Sequence, residues 1–315
     1  MTHTIEERYA SAADVATFGT YRLPTVVDDQ RPLLRFRGRI TVNGSSGFEP
    51  AADRYHLYVA APCPYAQRSL ITRDLAGLAD VVGASWVDPA RDGRGWAFRP
   101  PTGPDPVNGF ALLREAYDAT EANFDGHVSV PTLWDRDSSQ VVSNHYPSIE
   151  IDLATRFTSV REPLVDLYPP VLRDEIDELD SWLDPIFRNA SLEAAVPGGS
   201  SGARPSARRI ALLDALDALD IDLQDRRYLL GSHLTLADVR LYCALVRFDT
   251  RTNVDRSIAP SLDEYDDLWA YVRELHSFQA FRSTTDFSSF AAPGADVSGW
   301  AQPSSARALL DTPSR

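Results

Sequence analysis

Residues 54–68 of this 315-residue chain read RYHLYVAAPCPYAQR and carry its strongest structural signal. The segment from Tyr55 to Ala60 is short and rich in β-forming residues, which predicts a buried strand. A helix is predicted to follow, because Pro64 takes the favoured first helical position and Cys63 lies beside it at the N-cap. The sequence therefore predicts a strand that leads directly to a cysteine at a helix N-terminus.

This position makes Cys63 the candidate catalytic nucleophile. Free N–H groups and the helix dipole stabilise a thiolate there and lower the cysteine pKa from its usual value of about 8.5. We expect Pro64 and the cation of Arg68 to contribute to this stabilisation. The last position of the CPYA motif is Ala66, so no resolving thiol is present and an external small-molecule thiol must open a mixed disulfide on Cys63.

Cys243, the other cysteine of the chain, is expected to be a buried core residue, because it lies in a predicted helix with the core-like neighbours Leu241, Leu245 and Val246. The first ten residues lack the pattern of a signal peptide, so a structural disulfide is not expected and the cytoplasm is the expected compartment.

The segments after the motif predict the rest of an α/β domain. Strand-like and helix-like patterns alternate up to about residue 156, with a β-hairpin over 129–142. If Val130-Pro131 is a cis-proline pair beside the nucleophile, as in a thioredoxin-type fold, the Val130 backbone is free to pair with an extended thiol ligand; an ordinary edge-strand proline is the alternative. Trp96, in a Gly-rich insert, either flanks the thiol pocket or packs in the core.

The second half of the chain predicts an all-helical domain. Apolar residues recur at helical spacing over 171–187, 207–223, 236–248 and 262–276, and Thr235 and Asp238 have the spacing of a capping box. The predicted organisation is an extended N-terminal arm (1–53), an α/β thiol-binding domain (54–156), a helical domain (165–290) and a tail (291–315).

Charge and composition exclude several functions. A net charge of −14 argues against nucleic-acid binding, which needs clustered positive charge. No apolar stretch approaches the roughly 20 residues of a membrane span. The six histidines show no metal-ligand spacing, so no metal site is expected.

Several collinear blocks resemble one family. Residues 54–68 are similar to the signature of the Xi-class glutathione transferases, the glutathionyl-hydroquinone reductases. The resemblance continues over roughly residues 30–290 in the blocks FRGRITV (36–42), GWAF (95–98), VPTLWD (130–135), LRDEIDEL (172–179), RYLLG (227–231), ADVRLYCALVRF (237–248) and LWAYVREL (268–275).

This resemblance implies that residues 54–156 form a thioredoxin-like thiol-binding domain. It also implies that residues 165–290 form an all-helical glutathione-transferase C-terminal domain for substrate binding and dimerisation, and that the protein is a homodimer. It also implies reductive removal of a thiol from S-conjugated hydroquinones. In that reaction the Cys63 thiolate attacks the sulfur of the conjugate, the hydroquinone leaves, and a second thiol releases the enzyme-bound thiol as its disulfide.

The chain departs from the family pattern where the thiol would bind. An adjacent Glu-Ser pair usually holds the γ-glutamyl end of glutathione, and the corresponding positions here are His145 and Tyr146. An imidazole supplies no carboxylate to an ammonium group. Mycothiol has no ammonium group, so the expected co-substrate is mycothiol or glutathione, with no bound cofactor.

The favoured function is therefore a cysteine-dependent thiol oxidoreductase that acts on (hydro)quinone conjugates. One alternative is a conventional S-transferase that conjugates a thiol to an electrophile, for which Cys63 would be dispensable. The other alternative is a non-catalytic ligand-binding member of the superfamily, in which Cys63 would be inert.

Overall fold

The computed structural model describes residues 7–24, 31–194 and 206–301. The chain forms two compact units, Met1–Val165 and Asp166–Arg315. The described residues of the arm assigned from sequence, 7–24 and 31–53, belong to the first unit.

The first unit is built on a four-stranded mixed sheet with the strand order β2-β1-β3-β4. Strand β1 pairs in parallel with β2 and antiparallel with β3, which in turn pairs antiparallel with β4. The strands are β1 (Tyr55–Val59), β2 (Gly83–Trp86), β3 (Thr132–Asp135) and β4 (Gln140–Ser143). The helices are α1 (Val15–Phe18), α2 (Pro64–Leu75), α3 (Arg114–Thr120) and α4 (Tyr146–Thr155).

Two apolar cores cover the two faces of this sheet, because successive side chains of β1 point to opposite sides. Leu57 packs with residues of α2 and α4, including Leu70 and Ile149. Tyr58, the next residue, belongs to a second cluster with Tyr117 of α3. Cys63 packs against both clusters, so the link from β1 to α2 is anchored from both sides.

The N-terminal arm extends the sheet beyond β4. Arg37 forms an isolated antiparallel bridge with Ser143, and the amide of Gly38 donates to the Val142 carbonyl at 2.9 Å. A Cβ atom at Gly38 would lie 2.5 Å from that carbonyl oxygen, so glycine is required for this close approach. The pairing fixes the preceding residues beside the start of α4.

Helices are the main regular structure of the second unit over residues 166–194 and 206–301, where two isolated antiparallel bridges, Tyr228–Gly231 and Leu230–His233, join them. Its α-helices are α5 (Arg173–Ala194), α6 (Ala207–Asp222), α7 (Leu236–Arg247), α8 (Asp266–Ser277), α9 (Gln279–Arg282) and α10 (Phe287–Phe290). A π-helical turn at Phe248–Thr252 follows α7, and 3₁₀ turns lie at Pro170–Leu172, Leu262–Glu264 and Ser298–Ala301. The predicted fold class, a thioredoxin-like domain followed by an all-helical domain, is confirmed.

The prediction of a tail from residue 291 is wrong for residues up to 301. Trp300 is only 1% exposed, and its indole N–H donates to a carboxylate oxygen of Asp249 at 2.9 Å. Its ring also packs edge-on against Trp269. Burial of a large aromatic side chain with a satisfied N–H holds this segment in the second unit. Residues 302–315 lie outside the described part of the chain.

Candidate active site

Cys63 is the N-cap residue of α2, with an extended backbone conformation and Pro64 directly after it. Its amide donates to the Ala60 carbonyl at 3.1 Å, and its own carbonyl accepts from the amide of Gln67 at 3.1 Å. The half-buried thiol donates to the carbonyl oxygen of Val130 at 3.3 Å. The strand-to-helix link thus places the sulfur at the helix N-terminus, beside the loop before β3.

That loop contains the predicted cis-proline, since the Val130–Pro131 peptide bond is cis. The Val130 carbonyl faces the thiol of Cys63. Within the described residues the Val130 amide donates no hydrogen bond. A backbone donor is therefore available next to the sulfur for a ligand carbonyl, as a bound thiol of peptide-like chemistry requires.

Cys63 opens into a cleft with a volume of about 580 Å³ within the first unit. Five of the predicted site residues line it together: Cys63, Trp96, Val130, His145 and Tyr146. The remaining lining residues are Pro32, Leu33, Leu34, Arg37, Tyr65, Arg91, His127, Ser129, Asn144 and Pro147. Pro64, Arg68 and Pro131 stand close in sequence to lining residues but do not line the cleft themselves.

Arg68 lies deeper in the fold than expected. It is only 5% exposed, and its guanidinium carbon lies 5.3 Å from the ring centroid of Tyr65. Arg68 occupies the second turn of α2, so its side chain packs on Tyr65 instead of reaching the cleft surface. Its predicted stabilisation of the Cys63 thiolate stays a prediction.

Arg91 is a cationic lining residue that the sequence reasoning missed. Its guanidinium carbon lies 4.2 Å from the ring centroid of Tyr21 and 4.6 Å from that of Trp96. Burial lowers its pKa, while the charges of Tyr21 and Cys63 act in the opposite direction. The position of Arg91 in the same insert as Trp96, five residues upstream, was the available signal.

Two tyrosines form an aromatic platform in the cleft. The rings of Tyr65 and Tyr146 stack with their centroids 3.9 Å apart and an interplanar angle of 18°. Burial, followed by the neighbouring Tyr65, raises the pKa of Tyr146. Tyr146 is therefore a neutral phenol at physiological pH and can donate a hydrogen bond or stack on a ligand.

The two histidines of the cleft are neutral at pH 7. Burial, with smaller contributions from Arg37 and Arg39, lowers the pKa of His145, whose Nδ1 lies 2.7 Å from the Ser148 hydroxyl. Burial and then the charge of Arg91 lower the pKa of His127 to about 4. No Asp or Glu is among the described residues that line the cleft. The cleft thus suits neutral or anionic groups and offers no carboxylate to an ammonium group.

Residues 7–24, 31–194 and 206–301 hold no group of three or more His, Cys, Asp or Glu placed to bind a metal ion. Among the helices of this described part, none combines the length and apolar character needed to cross a membrane.

The chain is similar to known glutathione transferases in sequence and in structure. Residues 190–274 match the family model of the glutathione S-transferase C-terminal domain. Glutathionyl-hydroquinone reductase YqjG of Escherichia coli K-12 is 31% identical over 271 residues, which cover 82% of this chain and 81% of that protein. The glutathione-bound structure of YqjG has a TM-score of 0.75 at 28% identity, covering 86% of this chain and 95% of that one. The Xi-class transferase of Natrialba magadii has a TM-score of 0.73 at 32% identity, covering 81% and 79%.

A mixed four-stranded sheet with a cysteine at the start of α2, followed by a helical unit, defines the glutathione transferases as the class of this protein. The extent and identity of the matches narrow this class further. The chain belongs to the Xi-class glutathione transferases, the family of the glutathionyl-hydroquinone reductases, as the sequence blocks predicted.

Proposed function

We propose that this enzyme is a thiol-dependent reductase of S-conjugated hydroquinones, with Cys63 as its catalytic nucleophile. The observation that carries the proposal is the half-buried Cys63 thiol at the N-terminus of α2, open to the cleft and next to the Val130 backbone. Helix N-termini favour thiolates through their free N–H groups and dipole. Family membership supplies the reaction type, since the E. coli relative is named for it.

The reaction proceeds through a mixed disulfide on Cys63. The Cys63 thiolate attacks the sulfur of the conjugate, forming an S–S bond as the sulfur–carbon bond breaks. The aromatic carbon keeps the electron pair and takes up a proton, so the hydroquinone leaves in reduced form. A second thiol molecule then attacks the mixed disulfide, releases the disulfide of the small thiol and restores Cys63. One conjugate and one thiol thus give one hydroquinone and one disulfide.

The co-substrate thiol is glutathione or mycothiol, and two features of the cleft support mycothiol. No carboxylate among the described lining residues is available to the ammonium group of glutathione. The stacked Tyr65 and Tyr146, with neutral His145 beside them, present aromatic and polar groups suited to a sugar. Against this stands the E. coli relative, whose structure contains glutathione.

Intact-mass spectrometry after incubation with oxidised mycothiol or oxidised glutathione tests the thiol directly. We expect a mycothiol adduct on Cys63, absent in Cys63→Ser. Isothermal titration complements this measurement. Tight glutathione binding without mycothiol binding would exclude mycothiol.

Replacement of the nucleophile distinguishes the reductase from its two rivals. We expect Cys63→Ser to lose all detectable reduction of a conjugated hydroquinone. A conventional transferase would keep its conjugation activity in this variant, because the thiolate of the substrate itself attacks the electrophile. A non-catalytic binding protein would already show an inert Cys63 towards alkylating reagents in the native chain.

We further propose that the enzyme is a cytoplasmic homodimer. Membership of the family supports this proposal. Sedimentation velocity tests the assembly state, and a species with the mass of one chain at micromolar concentration would contradict it.

A further inference from the structure

The loop between β2 and α3 contains three arginines within nine residues, and they have different surroundings. Arg94 forms an ion pair of 2.7 Å with Asp92. Arg99 lies 3.4 Å from Asp88 and 3.7 Å from Asp92. The carboxylates of Asp88 and Asp92, which lie close to Arg91 in the sequence, are therefore paired with Arg94 and Arg99.

Arg91 forms no hydrogen bond and no ion pair with any residue that the structure describes. It is nevertheless partly buried, and burial of a cation without an anionic partner is costly. The rings of Tyr21 and Trp96 offset part of this cost through cation–π contacts. The guanidinium N–H groups remain without an acceptor.

The two rings also hold the guanidinium in place. Tyr21 comes from the N-terminal arm, and its hydroxyl is fixed by Nδ1 of His127 at 2.8 Å and by the amide of Val128 at 3.2 Å. Trp96 lies in the same loop as Arg91 and lines the cleft with it. The Arg91 guanidinium, packed between two rings, thus lines the same cleft as Cys63.

We propose that Arg91 provides the positive charge that stabilises the Cys63 thiolate, held in position by Tyr21 and Trp96. The proposal rests on the proposed function, because it assigns a partner to the same nucleophile. The pKa of Arg91 is lowered by burial, and the charges of Tyr21 and then Cys63 oppose this lowering, as expected for attraction between Arg91 and an ionised Cys63. Since such an interaction is reciprocal, the same cation favours the ionised thiol.

The other titratable groups facing this space are neutral, and the other cations are held by contacts elsewhere. The imidazoles His127 and His145 have lowered pKa values and carry no charge near pH 7. Tyr21 and Tyr146 have raised pKa values and stay protonated, and Tyr65 stacks on Tyr146. Arg37 lines the cleft too, but its Nε donates to the Leu34 carbonyl at 3.2 Å. Arg68 packs on Tyr65.

The pH dependence of Cys63 alkylation by iodoacetamide, followed by intact mass, tests this proposal without any substrate. We expect Arg91→Gln to raise the apparent pKa of Cys63 by about one unit, the scale of a nearby charge in a partly buried site. Arg91→Lys should retain most of the wild-type value, because it keeps the charge. As a matched control, Arg161→Gln removes a cation of the same unit from its exposed pair with Asp80 and should cause no shift.

The outcomes separate this proposal from the proposed function. A low pKa of Cys63 that is the same in Arg91→Gln overturns the role of Arg91 and leaves the nucleophile intact. A wild-type pKa near 8.5 in all variants overturns both. If Arg91→Lys shifts the pKa as much as Arg91→Gln, charge is not the cause and the proposal fails.

Variants of Tyr21, which contacts the Arg91 guanidinium, provide a second test of the proposal. Tyr21→Leu removes one ring from the guanidinium, whereas Tyr21→Phe removes only the hydroxyl. We expect a raised Cys63 pKa in the leucine variant and a smaller change or none in the phenylalanine variant. Equal pKa values in the wild type and Tyr21→Leu would overturn the positioning role of the arm.

Discussion

At the scale of single residues, the two cysteines differ in burial and in backbone context. Cys63 is a half-buried N-cap residue whose sulfur reaches the cleft. Cys243 is fully buried within α7, as predicted from its apolar neighbours. A buried thiol without access to solvent behaves as a small hydrophobic side chain. Reactivity in the native chain should therefore belong to Cys63 alone.

Thiol counting with a chromogenic disulfide checks this assignment. We expect one equivalent of reactive thiol in the native protein and two in urea, because unfolding exposes Cys243. Cys63→Ser should give none in the native state and one in urea. Two reactive thiols in the native wild type would contradict the burial of Cys243, and none would contradict the accessibility of Cys63.

Sequence reasoning located the site residues that adjoin a recognisable motif. Cys63 and Val130 stand at a helix start and at a cis-proline, which are features of backbone pattern that sequence can reveal. Arg91 was missed because its orientation depends on which carboxylates Arg94 and Arg99 engage. Such competition among side chains is settled by tertiary packing and leaves no periodic signal in the sequence.

At the scale of elements, the sequence predicts which segments form helices better than it predicts the residues at which those helices begin. Helix α4 begins at Tyr146, because Pro147 fits the first turn and His145 adopts the extended N-cap conformation, and the alternating pattern of the sequence does not reveal this start. The apolar pattern from Leu262 covers two elements instead of one helix. Ser261 and Glu264 close a separate 3₁₀ turn with their own capping box before α8.

The capping box of α7, predicted from Thr235 and Asp238, is confirmed and extends beyond the helix itself. The fully buried Asp238 carboxylate accepts from the amides of Leu229 and Thr235 at 2.9 and 2.8 Å, and from the Tyr271 hydroxyl at 2.9 Å. Burial raises its pKa against the opposing effect of these donors. One side chain thus joins the cap of α7 to the preceding loop and to α8.

We expect Asp238→Ala to lower the free energy of unfolding by about 3 to 5 kcal/mol, because it leaves several buried donors without an acceptor. Asp238→Asn should cost less, since the amide keeps one acceptor oxygen and a similar volume. Urea titration followed by circular dichroism measures both variants. A loss below about 1 kcal/mol for the alanine variant would show that the buried donors find other acceptors.

At the scale of the whole molecule, buried histidines link stability to pH in both units. In the first unit, burial and then the charge of Arg136 lower the pKa of His56 to about 3. Nδ1 of His56 lies 3.1 Å from the Arg136 guanidinium and accepts a hydrogen bond from it, so Nδ1 has no room for a proton of its own. Nε2 of His56 lies 2.8 Å from the Ser85 hydroxyl. In the second unit, burial lowers the pKa of His276 to about 4, and its Nδ1 lies 2.6 Å from the Tyr242 hydroxyl.

These shifts predict acid sensitivity in a defined pH window. An unfolded histidine takes up its proton near pH 6.5, whereas His56, His127 and His276 in the folded chain do so only at about pH 3 to 4. Between pH 6.5 and 4 the unfolded chain therefore binds more protons, so the free energy of unfolding falls as the pH falls. The buried imidazoles of His56 and His276 should each contribute a loss of about 2 kcal/mol between pH 7.5 and 4.5.

Urea titrations at several pH values between 7.5 and 4.5 measure this slope. His56→Gln cannot take up a proton at this position, so its free energy of unfolding should depend less steeply on pH than that of the wild type, whatever its absolute stability. His233→Gln, at an exposed position of the second unit, is the matched control and should keep the wild-type slope. A slope of His56→Gln equal to that of the wild type would mean that His56 takes up its proton equally in the folded and unfolded chain, and would contradict its burial as a neutral group.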